Sequence, residues 1–405
     1  MRHTGLRGAL AALFGASMLT SAACAQEAEV MHWWASETDA AAVAKFAEAY
    51  KALGGTWKDV ATASNQSSLQ ATITRILAGS PPDAAQFNTS TQFYDLVDGG
   101  KLNSLEAKAK DGKWREVIPG PLVDVVGRNG ELYALPVSMS GVNIVFYNKS
   151  MLAAAGVTEE PTDWAGLVEA IRKVKAGSKV PIAMGGGINP SLLFYSIAAD
   201  YMGNENYTRM LADRDPDVDP EGLRRTLETF AELRDDVDAG WSGRKWSEAS
   251  RMLVKGDAAF QVVGDWAKAE FTLNKMVADR DFGCILPKGT VIIGGDVIVF
   301  PKKGDALTPA QDKLIQVFSD AGAQTAFNRE KGSLPARIDV NPADFDACGQ
   351  RVLKAASDAS TRLPRPRMII PSDIEGDLGD FINEFFASQL PAEEGVQRFS
   401  ELLQQ

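Results

Sequence analysis

The chain has 405 residues, 45% of them hydrophobic and 23% charged, and a formal net charge of −11 at pH 7. That length exceeds what one hydrophobic core usually serves and predicts two domains, while the ordinary composition excludes collagen, coiled coil and extended disorder. An acidic chain with no basic block is a poor partner for nucleic acid or an anionic membrane surface through bulk electrostatics.

Arg2 and Arg7 precede a short apolar stretch over residues 9–23, and Ala23-Cys24-Ala25 has the A-x-A form of an export cleavage site. The stretch falls short of the roughly 20 residues a membrane span needs. We therefore expect a signal peptide over residues 1–25 and a periplasmic mature chain from near Gln26. A membrane anchor is one alternative. Lipoprotein cleavage at Cys24 is another, disfavoured because Ser21-Ala22-Ala23 lacks the aliphatic residue usual there. Cleavage removes two arginines and no acid, so the mature chain is more acidic still. Cys284 and Cys348 then remain as an even pair in an oxidising compartment, which predicts a disulfide between them. His3 also leaves, so His32 is the one histidine of the mature chain. That argues against a multi-histidine metal site and leaves a single candidate for a Ser-His-Asp triad. No HExxH, CxxC, phosphate-loop or EF-hand pattern is present, and no cofactor is expected.

The mature chain opens with a strand over 29–34 and a loop over 35–39. A helix follows over 40–53, with Val43, Phe46, Ala47 and Tyr50 at helical spacing and Gly54-Gly55 ending it. A strand over 57–63, a helix over 67–78, a break at Gly79-Ser80-Pro81-Pro82 and a strand over 83–88 come next. This alternation predicts an α/β domain with a largely parallel sheet, where ligands collect at the carboxyl ends of the strands. Trp33, Trp34, Glu37, Gln86 and Asn88 fall at those exits. The plain alternative for Gln86 or Asn88 is a turn or capping role.

Further along, residues 130–137 read as a strand, 136–141 as a crossing into a second lobe, and 143–147 as another strand. Helices start at Asn148 and at Thr162-Asp163-Trp164. A strand over 181–184 runs into Gly185-Gly186-Gly187, which reads as a turn or a close backbone approach to ligand, since no Lys-Ser/Thr follows to make a phosphate loop. Residues 191–240 look helical. The stretch 245–267 then reads as a helix capped by Ser247, a turn at Lys255-Gly256-Asp257, a covered strand, and Gly264-Asp265-Trp266 at its exit. With Trp246 just before the helix, this unit brings two indoles and a carboxylate together. An aromatic face stacks on the C–H face of a sugar and a carboxylate accepts from its hydroxyls. The plain alternative is that both tryptophans are core residues. Later come a helix over 269–277, strands over 282–286 and 291–300 with Gly294-Gly295-Asp296 as the return crossing, and a helix over 308–320. A further helical segment over 324–328, a loop over 331–337 and two helices across 373–403 broken at Pro391 complete the chain.

Several fragments, in order, resemble a known family. They are Trp33-Trp34, Pro81-Pro82-Asp83, Tyr133-Ala134-Leu135-Pro136-Val137, and Tyr147-Asn148-Lys149 with Pro161-Thr162-Asp163-Trp164. Gly256-Asp257-Ala258-Ala259-Phe260 with Gly264-Asp265-Trp266, and Lys331-Gly332-Ser333 with Pro335-Ala336-Arg337, complete the set. The pattern, over about residues 29–400, resembles the extracytoplasmic solute-binding proteins of carbohydrate ABC transporters, and within them the glucose/mannose-type group of family 1. The resemblance implies a type II-like periplasmic-binding-protein fold with two discontinuous α/β lobes and crossing segments. One lobe would take residues 26–137 and about 297–362, the other about 138–296 and 363–405. It implies a non-enzymatic monomer that captures a monosaccharide, a hexose or related sugar, and delivers it to a membrane permease. Matched by position, Trp33, Trp34 and Glu37 form a first-loop contact set, Gln86 and Asn88 follow the third strand, Trp246 and Trp266 stack from the other lobe, and Asp296 and Lys331 meet hydroxyls. Asp265 joins them on the chemical reading above. Glucose-binding relatives carry a histidine in the loop before the final helices, whereas residues 364–368 here read Pro-Arg-Pro-Arg-Met; the alternatives are that Arg365 or Arg367 replaces it or, as we prefer, that the local contacts differ, which leaves the sugar open. Two rival readings are a glycosidase drawing a carboxylate pair from Glu37, Asp265 and Asp296, and a binding protein for a non-sugar solute.

Overall fold

The structure is a computed structural model that describes Met1 and residues 26–62, 64–177 and 179–405. The expected signal peptide, with His3 and Cys24, lies outside the described residues, as does the last residue of the expected 57–63 strand. The strands in chain order are β1 (Gln26–His32), β2 (Gly55–Ala61), β3 (Ala84–Asn88), β4 (Gly127–Arg128), β5 (Glu131–Leu132) and β6 (Ala134–Gly141). They continue with β7 (Ile144–Asn148), β8 (Val180–Ile182), β9 (Ala258–Val263), β10 (Phe282–Ile285), β11 (Val291–Val299) and β12 (Arg362–Pro364).

Two sheets organise two lobes. The first runs β12-β11-β3-β1-β2, with β6 also paired to β11; the second runs β10-β7-β9-β8. Each lies in its own apolar core. The first core includes Phe46, Phe87, Phe318 and Phe327, and the second includes Trp164, Phe194, Phe230 and Phe385. The helices Asn189–Ala212, Pro220–Glu232, Ser372–Ala387 and Ala392–Leu403 build the second core. The expected parallel arrangement holds for β1 with β2 and β3. It fails at β11, which is antiparallel to both β3 and β6 because it re-enters the first lobe from the second.

The crossings sit slightly away from where the sequence suggests. Residues 136–141 are not a crossing but the end of β6, and the chain changes sheet at Val142 and Asn143. Gly294-Gly295-Asp296 lies inside β11, and the return passes through residues 286–290. Gly295 is needed there for packing: a Cβ would stand 1.9 Å from the Ser138 carbonyl oxygen.

Local chemistry explains the helix starts. The helix Glu37–Ala52 begins before its apolar period because the Ser36 hydroxyl accepts from the Asp39 N–H at 3.1 Å, with two acids in the first turn. The helix Trp246–Lys255 starts one residue before Ser247, which is not its cap. The Glu248 carboxylate reaches back to the Lys245 N–H at 2.8 Å, and Gly256, at φ +71°, ends the helix. The helix Ala347–Ser357 was not apparent in the sequence reading. Asp346 caps it, accepting from the Gly349 N–H at 2.7 Å.

That helix carries Cys348, which is disulfide-bonded to Cys284 on β10, as expected. The helix packs on β11 and β12, so the bond ties the second sheet to the back of the first. Closing a loop of this size stabilises by about 2–4 kcal/mol. Among the described residues no helix is long and apolar enough to cross a membrane.

Candidate binding site in the interlobe cleft

Strand register assembles the floor of a cleft between the lobes. On β11, Asp296 lies opposite Asn88 of β3 on one side and Ser138 of β6 on the other. Gln86, two residues before Asn88, donates from Nε2 to Asp296 Oδ1 at 3.0 Å and accepts from the Trp33 N–H at 3.0 Å. The loop leaving β1 is thereby tied to β11 through one amide. Lys331, at the end of the helix Ala321–Lys331, completes the floor, its Nζ 3.1 Å from Asp296 Oδ2 and 3.1 Å from the Ser333 hydroxyl. Burial alone would lower the Lys331 pKa, but the carboxylates of Asp296, Asp265 and Asp39 outweigh it and raise the pKa. The floor is thus a fixed charge pair with a neutral amide behind it.

The opposite wall comes from the unit that begins at Lys245. Trp246 opens its helix, and its carbonyl accepts from Gln261 Nε2 at 3.1 Å and from the Ser250 hydroxyl at 3.1 Å. A side chain buried in β9 therefore holds the backbone that carries this indole. Trp266 is half-buried and packs against both cores, so it sits at the seam of the lobes. Its ring lies directly on Gly264, where a Cβ would be 2.0 Å from the indole. Only glycine allows that close approach.

The cleft has a volume of about 1130 Å³. Of the residues anticipated, Trp33, Trp34, Asn88, Trp246, Trp266, Asp296 and Lys331 line it. Gln86 does not; it is buried one layer behind, where it orients Asp296. Glu37 is exposed in the first turn of its helix, and Asp39, one face over, is the acid that reaches the cleft. Asp265 is fully buried off the cleft. Its Oδ2 accepts from the Gly141 N–H at 3.2 Å, while its own N–H donates to the Gly141 carbonyl at 3.1 Å. It clasps the end of β6 at the first crossing. Burial pushes its carboxyl up to about 6 despite Lys268 and Lys331 nearby. Trp34 is largely a core residue, 2% exposed and edge-on to Phe327 at 4.8 Å, with only a margin on the cleft. Its Nε1 and Asn88 Nδ2 are buried donors without a hydrogen-bond partner among the described residues, which is unusual for buried polar atoms.

The sequence reading missed Asn65, Gln66, Gln70 and Gln92, a row of amides on the cleft from the helix Asn65–Leu77 and the turn after β3. Their amphipathic helix gives no signal beyond polar residues on one face. Gly185 and Gly186 make a close backbone approach, but to the protein itself: a Cβ on Gly186 would stand 2.1 Å from the Ser242 carbonyl. Only Gly187 of the triplet reaches the cleft.

The three acids considered for a glycosidase, Glu37, Asp265 and Asp296, do not come together as a catalytic pair on the cleft. Asp296 is committed to Lys331 and Gln86, Asp265 is behind the wall, and Glu37 faces solvent. His32 is buried with Nε2 at 2.7 Å from Asp59 Oδ1, and it is not on the cleft. Among the described residues no cluster of three or more histidine, cysteine or acidic side chains could hold a metal ion.

Comparison with known proteins gives a consistent picture. The profile of bacterial extracellular solute-binding proteins matches residues 33–348. A probable sugar-binding periplasmic protein of Rhizobium meliloti (strain 1021) is 32% identical, over 98% of this chain and 97% of that protein. One of Mesorhizobium japonicum is 33% identical, over 86% and 87%. Among solved structures, a chitin oligosaccharide binding protein superposes with a TM-score of 0.77 at 19% identity, covering 94% of this chain and 98% of that one. The bacterial solute receptor AcbH, described as having an exclusive substrate preference for b-D-galactopyranose, superposes with a TM-score of 0.78 at 18% identity, covering 94% and 97%. At such identity the structural likeness speaks for the fold.

Proposed function

This chain belongs to the bacterial extracellular solute-binding protein family, and from that premise we propose that it captures a monosaccharide, a hexose or related sugar, in the interlobe cleft and delivers it to an ABC-type permease. The family is a transport component and not a catalyst. The observation that carries the sugar reading is the pairing of surfaces across one cleft. Two half-exposed indoles, Trp246 and Trp266, face a floor where Asp296, Lys331 and Asn88 offer acceptors and donors in fixed positions. A sugar ring needs both, an apolar face to stack and rigid polar groups for its hydroxyls. Relatives named as sugar-binding periplasmic proteins support the same reading and the periplasmic location.

Binding works by differential affinity. A ring held against the floor by Asp296 and Lys331 reaches Trp246 and Trp266 only when the lobes approach, so ligand favours the closed form. The permease then receives the closed, loaded monomer. Trp33, Trp34, Trp246 and Trp266 all line the cleft, so intrinsic fluorescence reports occupancy. Titration with hexoses, pentoses, sugar alcohols and disaccharides should give a saturable response to one class, matched by calorimetric heat. Flat responses to every sugar by both methods would overturn the assignment.

A further inference from the structure

Among the described residues three cationic side chains line the cleft, and they are not equivalent. Lys331 has Asp296 at 3.1 Å and Arg367 has Glu375 at 3.0 Å. Arg365 makes no side-chain hydrogen bond or ion pair with the described residues. Its backbone is fixed: the Arg365 N–H donates to the Ile293 carbonyl at 2.9 Å, continuing the line of β12 against β11. Its stem covers Gly294, where a Cβ would meet Arg365 Cδ at 3.3 Å. The side chain therefore lies along the strand two residues from Asp296. It lines both the main cleft and a side cavity of about 260 Å³ that opens beside it.

The surroundings leave this charge uncompensated. Burial, with Arg367 alongside, pulls the Arg365 pKa down to about 9, so it remains charged at neutral pH. Glu375 and the phenols of Tyr195 and Tyr207 are the acidic groups acting on it. Glu375 already serves Arg367, and burial holds both phenols protonated. Asp380 is on the rim of the side cavity but exposed to water, where screening weakens it. A partly desolvated guanidinium without a counter-ion is costly, and its planar fork matches a carboxylate. In a chain of net charge −11 this positive spot is local, not a bulk effect.

We propose that the ligand is a sugar acid, a hexuronate or a close relative, whose carboxylate takes Arg365 as counter-ion at the mouth of the side cavity while its ring lies in the main cleft. This rests on the sugar reading above and narrows it. One unpaired guanidinium balances one negative charge, which favours a carboxylate over a phosphate dianion.

The test compares matched ligands by calorimetry: glucuronate with glucose, galacturonate with galactose, and glucose 6-phosphate as the dianion. Wild-type protein should bind one uronate about 10- to 100-fold more tightly than its parent hexose, the range expected for a charge-assisted contact. That advantage should shrink with added salt. Arg365→Gln should lose the advantage, the uronate and its parent hexose then binding this variant within about threefold of each other. Equal or tighter binding of the neutral hexose by wild-type protein overturns the sugar-acid proposal and leaves the sugar reading standing. Tightest binding of the phosphate overturns the carboxylate, and an advantage that survives Arg365→Gln overturns the role of Arg365. No response to any sugar, acid or neutral, removes the sugar reading itself. The wild-type comparison needs no variant, so it decides even if Arg365→Gln does not fold.

Discussion

Lys331 and Arg365 line the same cleft, yet one is saturated and the other is not. Lys331 sits under three carboxylates and touches Asp296 and Ser333. Arg365 sits beside another arginine and touches no acid among the described residues. The difference separates two uses of a desolvated charge, Lys331 buried and Arg365 partly so. A paired cation can stay rigid without ligand and present a preset surface, because its desolvation is already offset. An unpaired one carries a penalty that a ligand of opposite charge removes, which converts part of the cost of burial into selectivity.

The largest way to break this contrast is to make Lys331 resemble Arg365. Asp296→Ala leaves Lys331 without its contact partner and should cost about 3–5 kcal/mol of stability, read as a lower midpoint in denaturant unfolding. Sugar binding should be lost as well. Adding Lys331→Met to Asp296→Ala should recover part of the stability but none of the binding. Full stability of Asp296→Ala alone would mean that Asp265 and Asp39 suffice for Lys331.

A second variant leaves both charges alone and moves the opposite wall. Gly264→Ala puts a Cβ into the Trp266 ring and should cost about 1–3 kcal/mol by overpacking. It should also weaken every sugar at least tenfold, acid and neutral alike, by calorimetry. A selective loss of one ligand class would place Trp266 on one subsite only.

Asp265 tests the surplus of negative charge around Lys331 through pH. Its carboxyl is raised from 3.8 to about 6 by burial. Between those values the folded state binds more protons than the unfolded state, so the ionised group costs stability that grows as pH rises from about 4 to about 6 and is constant above. The total is about 3 kcal/mol at most. Wild-type protein should therefore gain relative to Asp265→Asn when pH falls from 7 to 4. Parallel pH profiles for the two would show that Asp265 ionises without penalty.

The smallest effect is expected at Arg365 itself. Arg365→Gln removes a charge that has no partner among the described residues, so ligand-free stability should change by less than about 1 kcal/mol, in the stabilising direction. A large loss of stability would mean that the guanidinium holds the loop before the helix Ser372–Ala387 together.

The contrast was only half legible in the sequence. Lys331 and Asp296 both stand out in the sequence, because Lys331-Gly332-Ser333 resembles the family's own motif and Asp296 matches by position a charged partner for hydroxyls. Arg365 and Arg367 stand in the sequence as a departure where relatives carry histidine, with either one a candidate to replace it. Nothing in the Pro-Arg-Pro-Arg-Met stretch says that one arginine finds Glu375 and the other finds no acid among the described residues, since Glu375 lies on the next helix. Asp265 illustrates the opposite error. Adjacent to Trp266, it reads as a ligand group, but it turns inward to clasp Gly141 at the first crossing.

Local signals determined much by themselves. Alternating strands and helices, helix starts such as those at Asp163 and Thr308, and the turn glycine at Gly256 set most elements within a few residues. The export context and an even count of cysteines pointed to the bond that joins Cys284 to Cys348. Those features depend on neighbours in the chain, or on composition, which a sequence displays directly. The crossings, the direction of β11, the inward turn of Asp265 and the isolation of Arg365 were decided by tertiary structure alone. Each depends on which groups from distant segments compete for the same hydrogen bonds and counter-ions, and that competition exists only once the two lobes have folded around the cleft.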